Sequence, residues 1–382
     1  MNFLARINRA TLLVRCMARA IFRGAADQIS PDISRIIVVP SGKLGDVVCT
    51  TPVLRAIRIQ LPKAHIIVAG ISKLHIPLLS DSGLVDEYLD LEENGAAARV
   101  KACHAEAALV TGPSFKSIAL LYLAGIPLVI APKVTGGFSP SETRPYKILK
   151  RFVKTFPYKM GEYAPRERLK ALEPLGIVSS DTKKYLGFSE TASKKVKKFF
   201  IDNDIDVEKD FVVGISPSAG NKIKEWPEER FAEVVDYLTA KYQAKIIIVG
   251  GPGDKEKVEK TKSHLKSAER VLEITDWNID ELKSLVSKLH LFISVDTGPI
   301  YIAEAFGIPT IDITGPIDEH EQPPQGPIHR SVVPPHRSRP ELFVLNARRY
   351  NTEEAMRQIE SITVSLVERE IDLLIKDLRG QR

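Results

Sequence analysis

"RIIVVPSGKLGDVVCTTPVLRAI", residues 35–57, decides how the chain is read. Arg35 to Val39 is a short β-branched run, the pattern of a buried strand. Gly42 and Gly45 follow with Lys43 between them, and glycines let a backbone turn tightly and come close to a ligand. Asp46 to Leu61 then reads as a helix, with Val47, Val48, Val53, Leu54 and Ile57 available for packing. A strand that opens through a glycine loop into a helix is the first unit of a parallel α/β sheet. Ligands bind outside the carboxyl ends of such strands. Asp46 has two readings here: an acid capping the helix start, or a general base at a cleft.

Outward from this stretch, strands and helices alternate. Strand candidates at 35–39, 65–69, 107–111 and 127–131 make a first parallel sheet. Segment 138–175 is polar and basic and is expected to be helical. A second set lies at Phe211–Ile215, Lys245–Val249, Val271–Ile274, Leu291–Val295 and Thr310–Ile313, with helices at 228–241, 254–265, 279–288 and 299–306. The expected organisation is an amino-terminal basic helix (1–30), a first Rossmann-like domain (31–188), a charged connection (189–209), a second domain (210–350) and a carboxyl-terminal helix (351–382). Within that helix, apolar residues from Met356 to Leu374 recur at helical spacing over about 352–378. Segment 315–340, rich in proline and histidine, reads as a surface loop. His320, His329 and His336 there lack the i,i+4 spacing of helical metal ligands, so no metal site is expected.

The bulk composition narrows the function. A chain of 382 residues is long enough for two cores, and 44% hydrophobic with 27% charged residues argues against disorder. Three cysteines, none in a C-x-x-C pair, suggest neither zinc nor disulfides and fit a reducing cytoplasm. The net charge of +6 favours an anionic partner. Nucleic acid is the weakest choice of partner, because the basic clusters near the amino terminus and at Lys194–Lys198 lack interleaved stacking aromatics. Residues 1–24 carry five arginines among apolar residues, and no acid appears before Asp27. That is either an ordinary docking helix or a basic amphipathic helix lying in a membrane interface. No apolar run approaches the roughly 20 residues needed to span a bilayer.

Three further stretches could carry chemistry. In "GISPSAGNKIKEWPEERF", 214–231, Ser218 and Lys224 precede Pro227, which can open a helix. Polar donors and a lysine at that place suit a phosphate, while a solvated loop with a buried tryptophan is the plainer reading of the stretch alone. In "ISVDTGPIYIAEAFGIP", 293–309, a buried strand ends at Asp296, and Thr297 and Gly298 offer donors at the next helix start. Asp296 would hold a sugar hydroxyl or merely fix the turn. In "IIIVGGPGDKEKVEK", 246–260, Glu256 stands where the last glycine of G-x-G-x-x-G should be. That rules out a dinucleotide fingerprint and leaves Glu256 as a candidate hydroxyl contact.

Together these stretches resemble glycosyltransferase family 9, the heptosyltransferases of the lipopolysaccharide inner core. The resemblance rests on Gly45-Asp46-Val47-Val48-Cys49-Thr50-Thr51-Pro52-Val53-Leu54, on Lys224-Glu225-Trp226-Pro227, and on Asp296-Thr297-Gly298-Pro299 followed by Gly315-Pro316. It implies an α/β GT-B fold, two Rossmann-like domains facing an interdomain cleft. It implies metal-independent, inverting transfer from a nucleotide sugar, ADP-heptose, as co-substrate with no cofactor. The glycolipid or oligosaccharide acceptor would be reached in the cytoplasm or at the cytoplasmic face of the inner membrane. It carries the general base to Asp46, with Gly42, Lys43 and Gly45 forming the loop near acceptor and phosphates. Diphosphate binding goes to Lys224 and the Thr297-Gly298 helix start, with Ser218 nearby, and Asp296 positions a donor hydroxyl. The family commonly has histidine where this chain has Tyr301, and proline-glycine where it has Pro217-Ser218. Those departures keep open a GT-B transferase with another nucleotide sugar. The amino-terminal helix keeps open a non-catalytic membrane-associated scaffold.

Overall fold

The structure is a computed structural model that describes residues 3–22 and 33–380. Two compact units divide the chain. The first runs to Tyr185 and takes in Val344–Arg348; the second comprises Leu186–Phe343 and the segment from Arg349 onward.

The first unit holds strands β1 (Arg35–Val39), β2 (His65–Gly70), β3 (Glu87–Asp90), β4 (Ala107–Val110), β5 (Leu128–Thr135) and β6 (Lys154–Lys159). The second holds β7 (Val212–Ser216), β8 (Lys245–Val249), β9 (Val271–Ile274), β10 (Leu291–Val295), β11 (Thr310–Ile313) and β12 (His329–Val332). The sheets run β3-β2-β1-β4-β5-β6 and β12-β11-β10-β7-β8-β9. Every pairing is parallel. Renumbered within its own unit, the second sheet repeats the first: both have the 3-2-1-4-5-6 order of the nucleotide-binding fold. The order reverses between β1 and β4 in one unit and between β7 and β10 in the other. Helices cover the sheets, so central strands such as β1 and β10 are apolar on both faces and buried along nearly their whole length.

Five expectations need correction. The helix expected over 46–61 is two helices, Leu44–Val48 and Thr51–Gln60. Pro52, in the first turn of the second, has no N–H to continue the ladder. Segment 138–175 contains β6 as well as helices, and loop 315–340 contains β12. The 189–209 connection belongs to the second unit. Its helix Glu190–Asp202 starts at Ser189, whose Oγ accepts the Ala192 N–H at 3.1 Å. Phe199 of that helix meets the Trp277 ring edge-on at 5.2 Å. The carboxyl-terminal helix is also two, Thr352–Glu360 and Val364–Gly380. Between them the Ile362 carbonyl accepts from the Trp226 indole at 2.9 Å and from Arg230 at 2.8 Å, bonds that draw it out of any helical ladder.

The amino-terminal helix, Phe3–Phe22, lies on the first unit. Cys16 is fully buried in the same apolar cluster as Tyr122, Tyr146 and Leu149, with Leu12 and Leu13 packed against it. Burial pushes the Cys16 thiol up to about 11, against the opposing pull of Arg15 and Arg19. The helix does dock, as the plainer of its two readings requires. The part of the 1–30 expectation at residues 1–2 and 23–30 lies outside the described residues. Among the described residues, no helix is long and apolar enough to cross a membrane, and no group of three or more His, Cys, Asp or Glu could hold a metal.

Candidate active site

Each unit builds one loop system at its own switch point, where the ends of two central strands diverge and leave room for a ligand.

In the first unit the loop comes after β1. Ser41 reaches across to the end of β4, its N–H donating to Thr111 Oγ1 at 3.0 Å. Gly42 takes φ +91°, and a Cβ there would fall 2.0 Å from Asp46 Oδ2. Only glycine allows the loop to fold down over that carboxylate. Lys43 is exposed, and its N–H donates to Asp46 Oδ2 at 2.9 Å. Gly45 is buried in the short helix. Asp46 is therefore a capping acid, one of its two expected roles, yet its side chain stays 20% exposed.

The other Asp46 oxygen is held by a residue that the sequence did not single out. Arg168, on the helix Ala164–Leu169, donates to Asp46 Oδ1 at 2.7 Å and to the Asp46 carbonyl at 2.6 Å. Its side chain is 1% exposed. Burial alone would lower the guanidinium pKa; the Asp46 charge opposes it, and the net shift is upward. Arg168 is thus a permanent cation that fixes both the backbone and the side chain of Asp46. The helix APRERL is half charged, so nothing in the local sequence marks Arg168 until a partner over 100 residues away is known.

In the second unit the loops after β7 and β10 meet. Ser218, on the loop after β7, is buried. The loop is braced by Glu225, which accepts from the Ala219 N–H at 3.3 Å and pairs with Lys257 at 3.2 Å. Fully buried Trp226, edge-on to Phe231 at 5.2 Å, anchors the carboxyl end of the loop in the core. Lys224 reaches the end of β10. Its Nζ donates to Asp296 Oδ2 at 2.6 Å and to the Asp296 carbonyl at 2.7 Å. Tyr301 Oη donates to Asp296 Oδ1 through a short bond. Asp296 is 5% exposed and Tyr301 2%. Thr297 is the N-cap of the helix Gly298–Ala305 but makes no side-chain capping bond, and Pro299 sits in the first turn. That helix thus starts beside the Lys224–Asp296 pair, although Pro299 brings no N–H and the Ile300 N–H donates to the Thr297 carbonyl at 3.3 Å.

Glu256 does not join this cluster. It lies on the helix Lys255–Ser263 with its side chain 87% exposed, 3.9 Å from Lys260 one turn on. The loop before it is closed instead by Asp254, which accepts the Gly251 N–H at 2.8 Å.

A second unforeseen residue is Asp312, beside Ser294 in the β10–β11 register. It is 1% exposed, and neither carboxylate oxygen has a hydrogen-bond partner. Burial pushes its pKa well above the ordinary range; the Asp296 charge adds to this, Lys224 opposes it, and Glu304 adds again. Burial and the Asp296 charge thus both favour the protonated form of Asp312. The signal was an acid in the middle of the apolar strand "TIDI".

A family model for glycosyltransferase family 9 (heptosyltransferase) matches residues 96–343, more than half of the chain. The match spans Lys224 and Asp296; Asp46 lies ahead of it. Lipopolysaccharide heptosyltransferase 3 of Escherichia coli strain K12 is 24% identical over 282 residues, covering 72% of this chain and 80% of that protein. The structure of E. coli ADP-heptose lps heptosyltransferase II aligns with TM-score 0.68 at 17% identity, over 91% of this chain and 100% of that one. That of E. coli heptosyltransferase WaaC with ADP aligns with TM-score 0.61 at 16% identity, over 90% and 98%. At such identities the structures speak for the fold, which is α/β GT-B with two Rossmann-like units, as expected. The family match over most of the second unit goes further: this chain belongs to glycosyltransferase family 9 and is a glycosyltransferase.

Proposed function

We propose that the chain is an inverting, metal-independent heptosyltransferase that moves heptose from ADP-heptose to a lipopolysaccharide core acceptor. The observation that carries this reading is the Lys224–Asp296 pair at the second unit's switch point, next to the start of the helix Gly298–Ala305. Lys224 and the positive end of that helix would hold the donor diphosphate and stabilise it as it leaves, the task a metal ion performs in other transferases. Lys224 is paired with Asp296, so a diphosphate must share it or draw it away. Asp296 would then be free to accept a hydrogen bond from a donor hydroxyl. Ser218, buried on the adjacent loop, would add a hydroxyl toward the phosphates.

Asp46 would act as the base. Its oxygens accept from the Lys43 N–H and from Arg168, and the side chain stays partly exposed toward an acceptor hydroxyl. In the transfer, the acceptor oxygen bonds to the anomeric carbon from the face opposite the diphosphate. The bond from that carbon to the phosphate oxygen breaks, the hydroxyl proton passes to Asp46, and ADP departs. Inversion results from a single displacement. The relatives support this reading, one being a lipopolysaccharide heptosyltransferase and another a heptosyltransferase with ADP.

Tyr301 favours a second reading, the same transferase with a different nucleotide sugar. A phenol can bond to Asp296 but brings no positive charge to the diphosphate. Calorimetric titration with ADP, UDP, GDP and CDP, in EDTA, separates the two. Selective ADP binding that weakens in Lys224→Ala, together with turnover of ADP-heptose in EDTA, is the expected result. Selectivity for another nucleotide moves the donor. Failure to bind any of the four would remove the transferase mechanism and favour a scaffold.

A further inference from the structure

Over residues 9–21 the amino-terminal helix turns one side to the protein. Leu12, Leu13 and Cys16 pack into the first unit's core. Arg19 stands over the Tyr122 ring at 5.9 Å, and Tyr122 in turn meets Phe152 at 6.4 Å. The opposite side is apolar and open, with Ile21 80%, Val14 64% and Met17 46% exposed. They stand at 14, 17 and 21, one stripe of a helix. Arg9 and Arg15 are also exposed, and the helix has no acid anywhere along it.

Beside it lies a second segment of the same character. The helix Arg144–Leu149 contributes Tyr146 and Leu149 to the cluster that buries Cys16, and the short turn Lys150–Phe152 comes next. Arg144, Lys147, Arg151 and Lys154 are exposed there, and Phe152 stands among them. No aspartate or glutamate occurs from 143 to 161. The nearest acid, Glu142, is already paired with Lys150 at 2.8 Å. Tyr122 contacts both Arg19 and Phe152, so it ties the two segments to one side of the unit. Parts of the chain more than 120 residues apart thus build one face of cations around exposed apolar side chains.

We propose that this face docks on an anionic lipid bilayer. An acidic protein would satisfy the cations but leaves Ile21, Val14, Met17 and Phe152 unexplained. A lipid surface takes both, because cations meet headgroups while apolar side chains enter the acyl boundary. The face belongs to the first unit alone and involves none of the residues proposed for transfer, so it stands or falls apart from the transferase reading.

The test is flotation of the full chain with phosphatidylcholine vesicles, with and without phosphatidylglycerol, at low and high salt. Binding is expected only to the anionic vesicles and weakens as salt rises. Arg144→Gln/Lys147→Gln/Arg151→Gln loses about fivefold per cation removed, roughly a hundredfold together. Val14→Asn/Ile21→Asn removes the binding that persists at high salt. All five positions are exposed, and an unchanged melting temperature shows that each variant is folded. Equal binding to neutral vesicles, no binding to either vesicle, or wild-type binding by both variants overturns the proposal. Retention on duplex DNA without vesicle binding also overturns it, and assigns the face to a polyanion.

Discussion

The two switch points use the same parts to opposite effect. Each ends a central strand in a loop, places an aspartate there and gives it a cation. In the first unit the cation is Arg168, buried and bonded to both backbone and side chain of Asp46. A guanidinium with that planar fork, locked by packing, does not change partners. The carboxylate is left partly open, and the cation is out of a ligand's reach. In the second unit the order is reversed: Asp296 is buried and the cation, Lys224, is the more open partner, 19% exposed against 7%. A lysine on a flexible stem can exchange one anion for another. The first arrangement suits a fixed base, the second a phosphate hold.

The largest effect expected is on Asp46→Asn, which keeps the shape and removes the base. Turnover should fall by about 10²–10⁴-fold while ADP affinity holds. Turnover near wild type would end the assignment and leave Asp46 a capping residue. Lys224→Ala comes next. Losing a charged hydrogen bond of about 1.5–3 kcal/mol predicts ADP binding weaker by roughly 10–100-fold in calorimetry. If turnover suffers and binding does not, the lysine is a structural partner of Asp296 and the contrast between the two sites disappears.

Arg168→Lys tests the fixed grip. A lysine cannot reproduce the forked bonds, so stability should drop by about 1–2 kcal/mol in denaturant unfolding. Turnover should fall by roughly tenfold with unchanged donor KM, which a purely structural residue would not produce. Full turnover in a destabilised variant would make Arg168 scaffolding only.

The smallest effect concerns Asp312, and its sign comes from linkage. Its folded pKa is raised above the ordinary 3.8, so the folded chain holds this proton where the unfolded chain has lost it. The group's contribution to stability is complete below that value and falls as pH rises from it toward the folded pKa, by at most about 1.4 kcal/mol per pH unit. The melting temperature of wild type minus that of Asp312→Asn should therefore decline as pH climbs from about 4. A flat difference would mean that Asp312 is ionised alongside Asp296.

The legibility of the fold in the sequence reflects the physics of strands. All the central strands were legible, because burial on both faces makes them continuous apolar runs. The three strands overlooked, β3, β6 and β12, are all sheet edges. "EYLD" and "KTFPYK" are short or polar, and edge strands are kept so to discourage pairing with other chains. The overlooked site residues have a different cause. Arg168 acts 122 positions from Asp46, and Asp312 acts through burial beside a neighbouring strand. In neither case does the local sequence name the partner or the surroundings.

By itself the sequence determined the two α/β units, the loops at 41–46, 216–224 and 296–299, and the family resemblance that the comparisons bear out. These depend on periodicity, glycine and short-range motif, which are local. Only the tertiary structure decided which charges are paired, that Glu256 stands apart, that Asp312 is buried without a hydrogen-bond partner, and that residues 9–21 and 144–154 share one face. Charge pairing and burial are properties of space, and the chain reaches them only by folding.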